Sequence, residues 1–329
     1  AVSVSSGMAN AKALIPWIDG REVILAVVVI ALLALVNLRG LRESGGLFAW
    51  PTYIFMFSML GMIVVGFFRL LVLGQPLRSE TSDLLVRDPD GSLTAGGWLL
   101  IAVVARAFSS GCAALTGVEA IANGVPAFRR PKSRNAAVVL AALGGIAISM
   151  FLGIMILANL TGVRLIDELT GTHYIAADGT TVHEQALTVT GQLARAIFSD
   201  WFPPGIYVVV VATMAILFLA ANTAFNGFPS LASILAKDGF LPRQLYTRGD
   251  RLAYSNGIIA LAIAAICLVI VFQASVTALI QLYVVGVFIS FTVGQAGMIQ
   301  HWTTALRTEL DRGERRRMQR ARAINVIGT

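Results

Sequence analysis

Charge is what this sequence has least of. Asp, Glu, Lys and Arg make up only 13% of its 329 residues, about half the share of an ordinary soluble domain. A chain so poor in charge cannot cover its surface in water, which excludes a soluble enzyme. Cysteine is nearly absent. Cys112 and Cys267 each sit in an apolar segment, give neither a disulfide framework nor a metal-site spacing, and are expected to be small buried residues. His173, His183 and His301 fall in loops or at a helix end without ligand spacing, so no metal and no cofactor is assigned. No GxxxxGK[ST] run is present, hence no sign of an ATP-driven pump. Ser109-Ser110 has no nucleophile elbow around it.

Apolar length is what the chain has in abundance. Hydrophobic residues reach 57% and mean hydropathy is +0.77. A helix needs about 20 consecutive apolar residues to cross a bilayer core. Eight spans are expected: a partial one at about 1–15, then about 22–38, 50–73, 98–128, 135–160, 205–234, 255–273 and 276–302. The class is an all-α integral membrane protein. The net charge of +7, which in a soluble protein would suggest nucleic acid, is explained here by basic loops, and no nucleic-acid partner is expected.

Those basic residues orient the helices. They cluster after every second span: Arg39 and Arg42; Arg129, Arg130, Lys132 and Arg134; Lys237, Arg243, Arg248 and Arg251; and Arg307 to Arg322. The intervening loops are acidic or neutral, as in Glu80-Thr-Ser-Asp83 and Asp167-Glu168. Basic loops face the cytoplasm, so the expected location is the cell membrane, multi-pass, with the first partial span running outward. Two outer loops are long, about 74–97 and 161–203. The second carries a helical pattern from Glu184 to Phe198, with Leu187, Leu193, Ala194 and Ile197 on one face. It reads either as a lid over the pathway or as a surface helix packed on the base of its loop.

The span at 98–128 is interrupted by Ser109-Ser-Gly-Cys-Ala-Ala-Leu-Thr-Gly117. Non-helical backbone at membrane depth is tolerated only where protein or a water-filled cavity surrounds it, and transporters use such broken helices to hold substrates and ions. Gly111, Cys112 and Gly117 form the expected broken backbone. Glu119 follows the break, and an intramembrane carboxylate is a functional-site hypothesis by default. It can coordinate a cation, carry a proton or stabilise the restarted helix through its dipole. Thr116 and Ser3 offer oxygen ligands of the kind hard cations take, or bond back to their own helices. Asn222 lines a cavity or hydrogen-bonds a neighbouring helix. Tyr283 contacts substrate or is an interfacial aromatic. Arg106 is expected to snorkel outward.

The stretch Ala107-Phe-Ser-Ser-Gly-Cys-Ala-Ala-Leu-Thr-Gly-Val-Glu-Ala-Ile-Ala-Asn-Gly-Val-Pro126 and its basic continuation to Asn135 resemble the sixth transmembrane helix of the amino acid–polyamine–organocation superfamily. Within it, the resemblance is most specific to KUP-type potassium importers of the KimA kind. Ala220-Ala-Asn-Thr-Ala-Phe-Asn-Gly-Phe-Pro229, Leu235-Ala-Lys-Asp-Gly-Phe-Leu-Pro-Arg243, Arg248-Gly-Asp-Arg251 and Leu282-Tyr-Val-Val-Gly-Val-Phe288 extend it. The resemblance implies a LeuT-like core of two inverted five-helix repeats with helices one and six broken. Residues 1–329 would be one transmembrane transporter domain, an internal fragment running from the end of helix three through helix ten to the start of helix eleven. Residues 161–203 would be an extracellular loop with a short helix and 303–323 a basic cytoplasmic segment. Thr116 and Glu119 would face the ion path, with Ser3 beside it.

The expected function is secondary active transport, potassium uptake by proton symport with alternating access, with potassium and protons as the transported species. An amino acid permease of the same superfamily is the alternative, and a channel or non-transporting sensor a third. Permeases for amino acids typically follow the Gly-Phe-Glu of this helix with an acidic pair and Lys-Asn-Pro. Here Gly117-Val-Glu119 is followed by Asn123-Gly-Val-Pro126 and a basic stretch, which favours the cation. Expected partners are the small substrate and the lipid bilayer, and a homodimer is allowed.

Overall fold

The structure is a computed structural model and describes residues 1–39, 45–87, 97–111, 121, 125, 128–164, 173–175, 181–182, 187–246, 255–308 and 311–329. Ten helices of eight or more residues are found among them: α1 (Val2–Ala11), α2 (Glu22–Leu38), α3 (Gly45–Phe67), α4 (Trp98–Gly111), α5 (Lys132–Leu160), α6 (Val189–Phe198), α7 (Pro204–Lys237), α8 (Ser255–Val271), α9 (Val276–Thr308) and α10 (Arg312–Gly328). Four apolar helices are long enough to cross a membrane, at Ala49–Val72, Lys132–Leu160, Pro204–Lys237 and Val276–Thr308; Glu22–Leu38, Leu100–Gly111 and Ser255–Val271 are shorter apolar helices. Among the described residues each of the eight expected spans holds a helix, four of them of full crossing length.

The solvent side of α2 shows why this is a membrane fold. Ala26, Ile30 and Ala34 are buried on one stripe, while Ile24, Val28, Leu32 and Leu35 are exposed on another. A helix apolar on every face has no side suited to water, and the exposed stripe is what lipid would cover.

The chain divides into two compact units, residues Ala1–Ala95 with Val118–Leu279, and Gly96–Gly117 with Ile280–Thr329. In the first, α7 is a shared spine. On one side α1, α2 and α8 join it around Val4, Met8, Ile30, Phe225, Ile258 and Val269. On the other, α3, α5 and α6 meet it around Met62, Ile63, Leu157, Leu193, Ile197 and Val209. Helices inside a bilayer gain little from hiding apolar surface from equally apolar lipid, so close approach through small residues holds them together. At Gly153 of α5 an added Cβ would stand 2.8 Å from Ile63 of α3, and at Gly66 of α3 it would stand 3.0 Å from Leu157 of α5. The two glycines are reciprocal notches that let these helices touch.

Three short strands, Leu85–Arg87, His173–Ile175 and Thr181–Val182, were not anticipated from the sequence. They form one antiparallel sheet with Val86 opposite Tyr174 and Tyr174 opposite Val182, tying the two long loops together. Cys267 also differs from expectation. It lies exposed on α8, because the packed stripe of that helix is taken by Gly257, Ile258, Ala262 and Val269. Cys112 lies outside the described residues.

In the second unit, α4 presents nearly all its described side chains outward, Arg106 among them. The far end of α10 comes back to α9, with Gly328 beside Gln295.

Candidate functional site

Thr116, Glu119, Cys112 and Gly117 lie outside the described residues, and Gly111 is the last residue of α4. The centre of the expected ion site therefore rests on sequence alone. The remaining expected residues can be placed. Ser3 is half-buried on α1 and Asn222 is buried on α7, in the first unit; Tyr283 is half-buried on α9, in the second. α1 and α7 pack on each other, so Ser3 and Asn222 belong to neighbouring helices. Asn222 accepts a hydrogen bond from Asn37 Nδ2 of α2 at 2.7 Å, and the same amide donates to the Leu33 carbonyl at 2.8 Å. Asn222 is 8% exposed, so its carbonyl oxygen is engaged with a neighbouring helix. Thr223 bonds back to the Ala220 carbonyl of its own helix.

Sequence reasoning missed several polar groups beside these. Asn10 donates to the Val210 carbonyl at 2.9 Å and accepts from Thr188 Oγ1 at 3.2 Å, joining α1, α6 and α7. Ser5, on the buried side of α1, is 1% exposed and its hydroxyl finds no hydrogen-bond partner among the described residues. Asn10 and Asn37 were findable, since an amide in an apolar helix needs a partner. Ser5 was not, because a small hydroxyl in a helix ordinarily bonds its own backbone.

A second polar cluster fastens α6. Thr188 caps the helix by accepting from the Gly191 amide, a signal of an N-terminus that sets its start five residues later than the pattern from Glu184 suggested. Residues 183–186 lie outside the described residues. Leu193, Ala194 and Ile197 are fully buried against α3, α5 and α7. Thr81 donates to Gln192 Oε1 at 2.6 Å. Arg195 pairs with Glu80 at 2.8 Å and donates to the Ala13 carbonyl at 2.9 Å. Arg69, only 6% exposed, donates through Nε to Gln75 Oε1 at 2.7 Å and through Nη1 to the Ile197 carbonyl. A guanidinium at the carbonyl end of α6 meets the negative end of its dipole. The helix packs on three membrane helices, α3, α5 and α7, rather than on the base of its own loop.

Near the end of α1, Lys12 bridges Asp19 at 2.7 Å and Glu22. The hydrogen bond from Lys12 holds the Asp19 carboxyl below its ordinary value of 3.8. Among the described residues no group of three or more His, Cys, Asp or Glu comes together. What the described residues offer is polar oxygens and contacts between helices.

The family model described as amino acid permease matches residues 1–317. The chain belongs to the amino acid permease family, within the amino acid–polyamine–organocation superfamily. It is 39% identical over 304 residues to a protein of Bacillus subtilis (strain 168) described as potassium transporter KimA, covering 92% of this chain and 45% of that protein. The permease-family chain thus spans about half the length of the curated relative it matches. Both descriptions are of transporters rather than enzymes, and with the apolar helices they make this a multi-pass membrane protein.

Proposed function

We propose that this chain forms the core of a secondary active transporter that takes up potassium by proton symport. The observation that carries this reading is the 39% identity, maintained over 92% of the chain, to a protein described as a potassium transporter. The sequence at the interrupted span supports it: Thr116 and Glu119 supply oxygen donors beside a Gly-, Ser- and Thr-rich break, the chemistry a monovalent cation or proton needs. Glu119 binds or relays the cation, and the pathway opens alternately to either side. Inward movement of a cation gains about 2.3 kcal/mol per 100 mV of membrane potential. In this reading the basic loops are cytoplasmic, the helices correspond to three through ten of an inverted-repeat core, and Ser3 or its buried neighbour Ser5 adds a hydroxyl at the edge of the path.

The family description favours a second reading, amino acid transport. Free backbone amides at a helix break hold a substrate carboxylate as readily as carbonyls hold a cation. Rubidium uptake by potassium-transport-deficient cells carrying the full-length parent separates the two. Uptake that collapses with the proton gradient and is crippled by Glu119→Gln supports the cation reading. A well-expressed parent that moves labelled amino acids and no rubidium overturns it.

A further inference from the structure

The most strongly charged surface of the molecule plays no part in the site above. α10 carries six arginines, Arg312, Arg315, Arg316, Arg317, Arg320 and Arg322, against one acidic residue, Glu314. Glu314 stands 3.7 Å from Arg317, with both side chains largely in the open, and a pair so exposed neutralises little. Arg316, Arg317 and Arg320, with Gly313, Ala321 and Ile324, line a hollow of about 500 Å3. Positions 316, 317 and 320 fall on adjoining rows of one helical face, so three arginines flank one open hollow on the surface of α10. An arginine fork matches the oxygens of a phosphate two at a time.

The depth of this hollow follows from how α10 runs. It begins four residues after Thr308, the end of the apolar helix α9, and four residues span at most about 14 Å. Its far end comes back to α9, where Gly328 lies beside Gln295. Two antiparallel helices rise equally per residue, so Arg320 and Arg316 come level with about residues 303 and 307 of α9. Trp302, just before that level, is the kind of residue that marks a membrane–water interface. Farther along α10, Ile324, Val326 and Ile327 are 69%, 55% and 86% exposed, apolar groups that would meet acyl chains below such an interface. With Trp302 at the interface, the arginines would stand at headgroup height and the apolar side chains below them, as in an interfacial anchor.

We infer that Arg316, Arg317 and Arg320 form a binding site for the phosphate of an anionic phospholipid, whose acyl chains lie against Ile324 and Ile327. The lipid belongs to the leaflet in which α9 ends. Its headgroup supplies the negative charge that Glu314 leaves short. The site is independent of which solute the protein carries.

The test uses the purified full-length protein, with bound lipid counted by native mass spectrometry while phosphatidylglycerol or phosphatidylcholine is added. Wild type is expected to retain phosphatidylglycerol preferentially. Losing a basic residue at a charged membrane surface weakens binding about fivefold, so the triple variant Arg316→Gln/Arg317→Gln/Arg320→Gln should lose on the order of a hundredfold. A second triple variant at another basic loop, Arg129→Gln/Arg130→Gln/Arg134→Gln, should keep the preference. Replacing the triad by lysine keeps the charge and removes the forks, and should give an intermediate loss; it also serves if the glutamine variant does not fold. Equal loss in both loops would mean diffuse attraction and overturn the site. Absence of preference for phosphatidylglycerol would overturn it too. So would occupancy by millimolar inorganic phosphate without lipid preference, which would assign the hollow to a soluble ligand.

Discussion

The contact between α3 and α5 makes a sharp prediction, because two glycines of α5 differ in what an added methyl would meet. Gly153 is buried, and a Cβ built there meets Ile63 Cγ2 at 2.8 Å and Cδ1 at 2.9 Å; a Cβ at Gly145 meets nothing within 4 Å. Alanine is favoured over glycine inside a helix by about 1 kcal/mol, and that gain applies equally to both positions. Ile63 is β-branched and stiff at χ1, so its Cγ2 cannot step aside as the end of a flexible chain would. Overpacking of this kind costs about 1–3 kcal/mol. Gly145→Ala should therefore stabilise the protein slightly, and Gly153→Ala should fall below it by about 1–3 kcal/mol. Equilibrium unfolding of the purified protein in mixed micelles measures both. The second arm is Ile63→Ala, which alone costs about 2–5 kcal/mol by leaving a cavity. Combined with Gly153→Ala it should be less harmful than the sum, since the new methyl enters the vacated space. Indistinguishable stabilities for the two alanine variants, or strict additivity in the double variant, would refute the notch argument.

Three further predictions concern polar groups. A double-mutant cycle on Asn37→Ala and Asn222→Ala should return a coupling of about 0.6 to 1.7 kcal/mol, the range of interhelical hydrogen bonds in membranes; zero coupling would mean that the amides are not partners. Ser5→Ala removes a buried hydroxyl that lacks a partner among the described residues, a group that costs about 1–3 kcal/mol when unpaired, so the thermal midpoint should rise; a fall would show that the hydroxyl is engaged. Asp19 is depressed below 3.8 by Lys12, so its contribution is present above the unfolded value and is lost as pH falls through the lower folded value. Acidification below about pH 4 should loosen the α1–α2 turn in wild type and change Asp19→Asn little, as read by accessibility of a label at Trp17→Cys.

Most of the fold was legible because membrane helices announce themselves by length. The spans at 135–160, 205–234 and 276–302 match α5, α7 and α9 within a few residues, since only a helix satisfies its backbone inside lipid. Packing partners were less legible. Nothing in the run around Gly153 says that it faces Ile63 rather than lipid, because both faces of α5 are apolar. For the same reason Cys267 was assigned to the interior and lies on the outside. At the site, Asn222 was visible as a polar residue at depth, yet its partner lies 185 residues away in sequence, and only the fold brings Asn37 to it. Arg69 was overlooked because a basic residue at a helix end reads as solvated, whereas the C-terminus of α6 covers it.

The fastening of α6 has a consequence for how its amides meet water. Helices in long loops ordinarily exchange their backbone protons through small local openings, at free energies near zero. α6 cannot open that way without pulling Leu193, Ala194 and Ile197 out of the core and parting Arg195 from Glu80 and Gln192 from Thr81. Its deuterium uptake should accordingly keep pace with α3 and α7, so that a ten-residue segment between two membrane helices exchanges as slowly as the helices themselves.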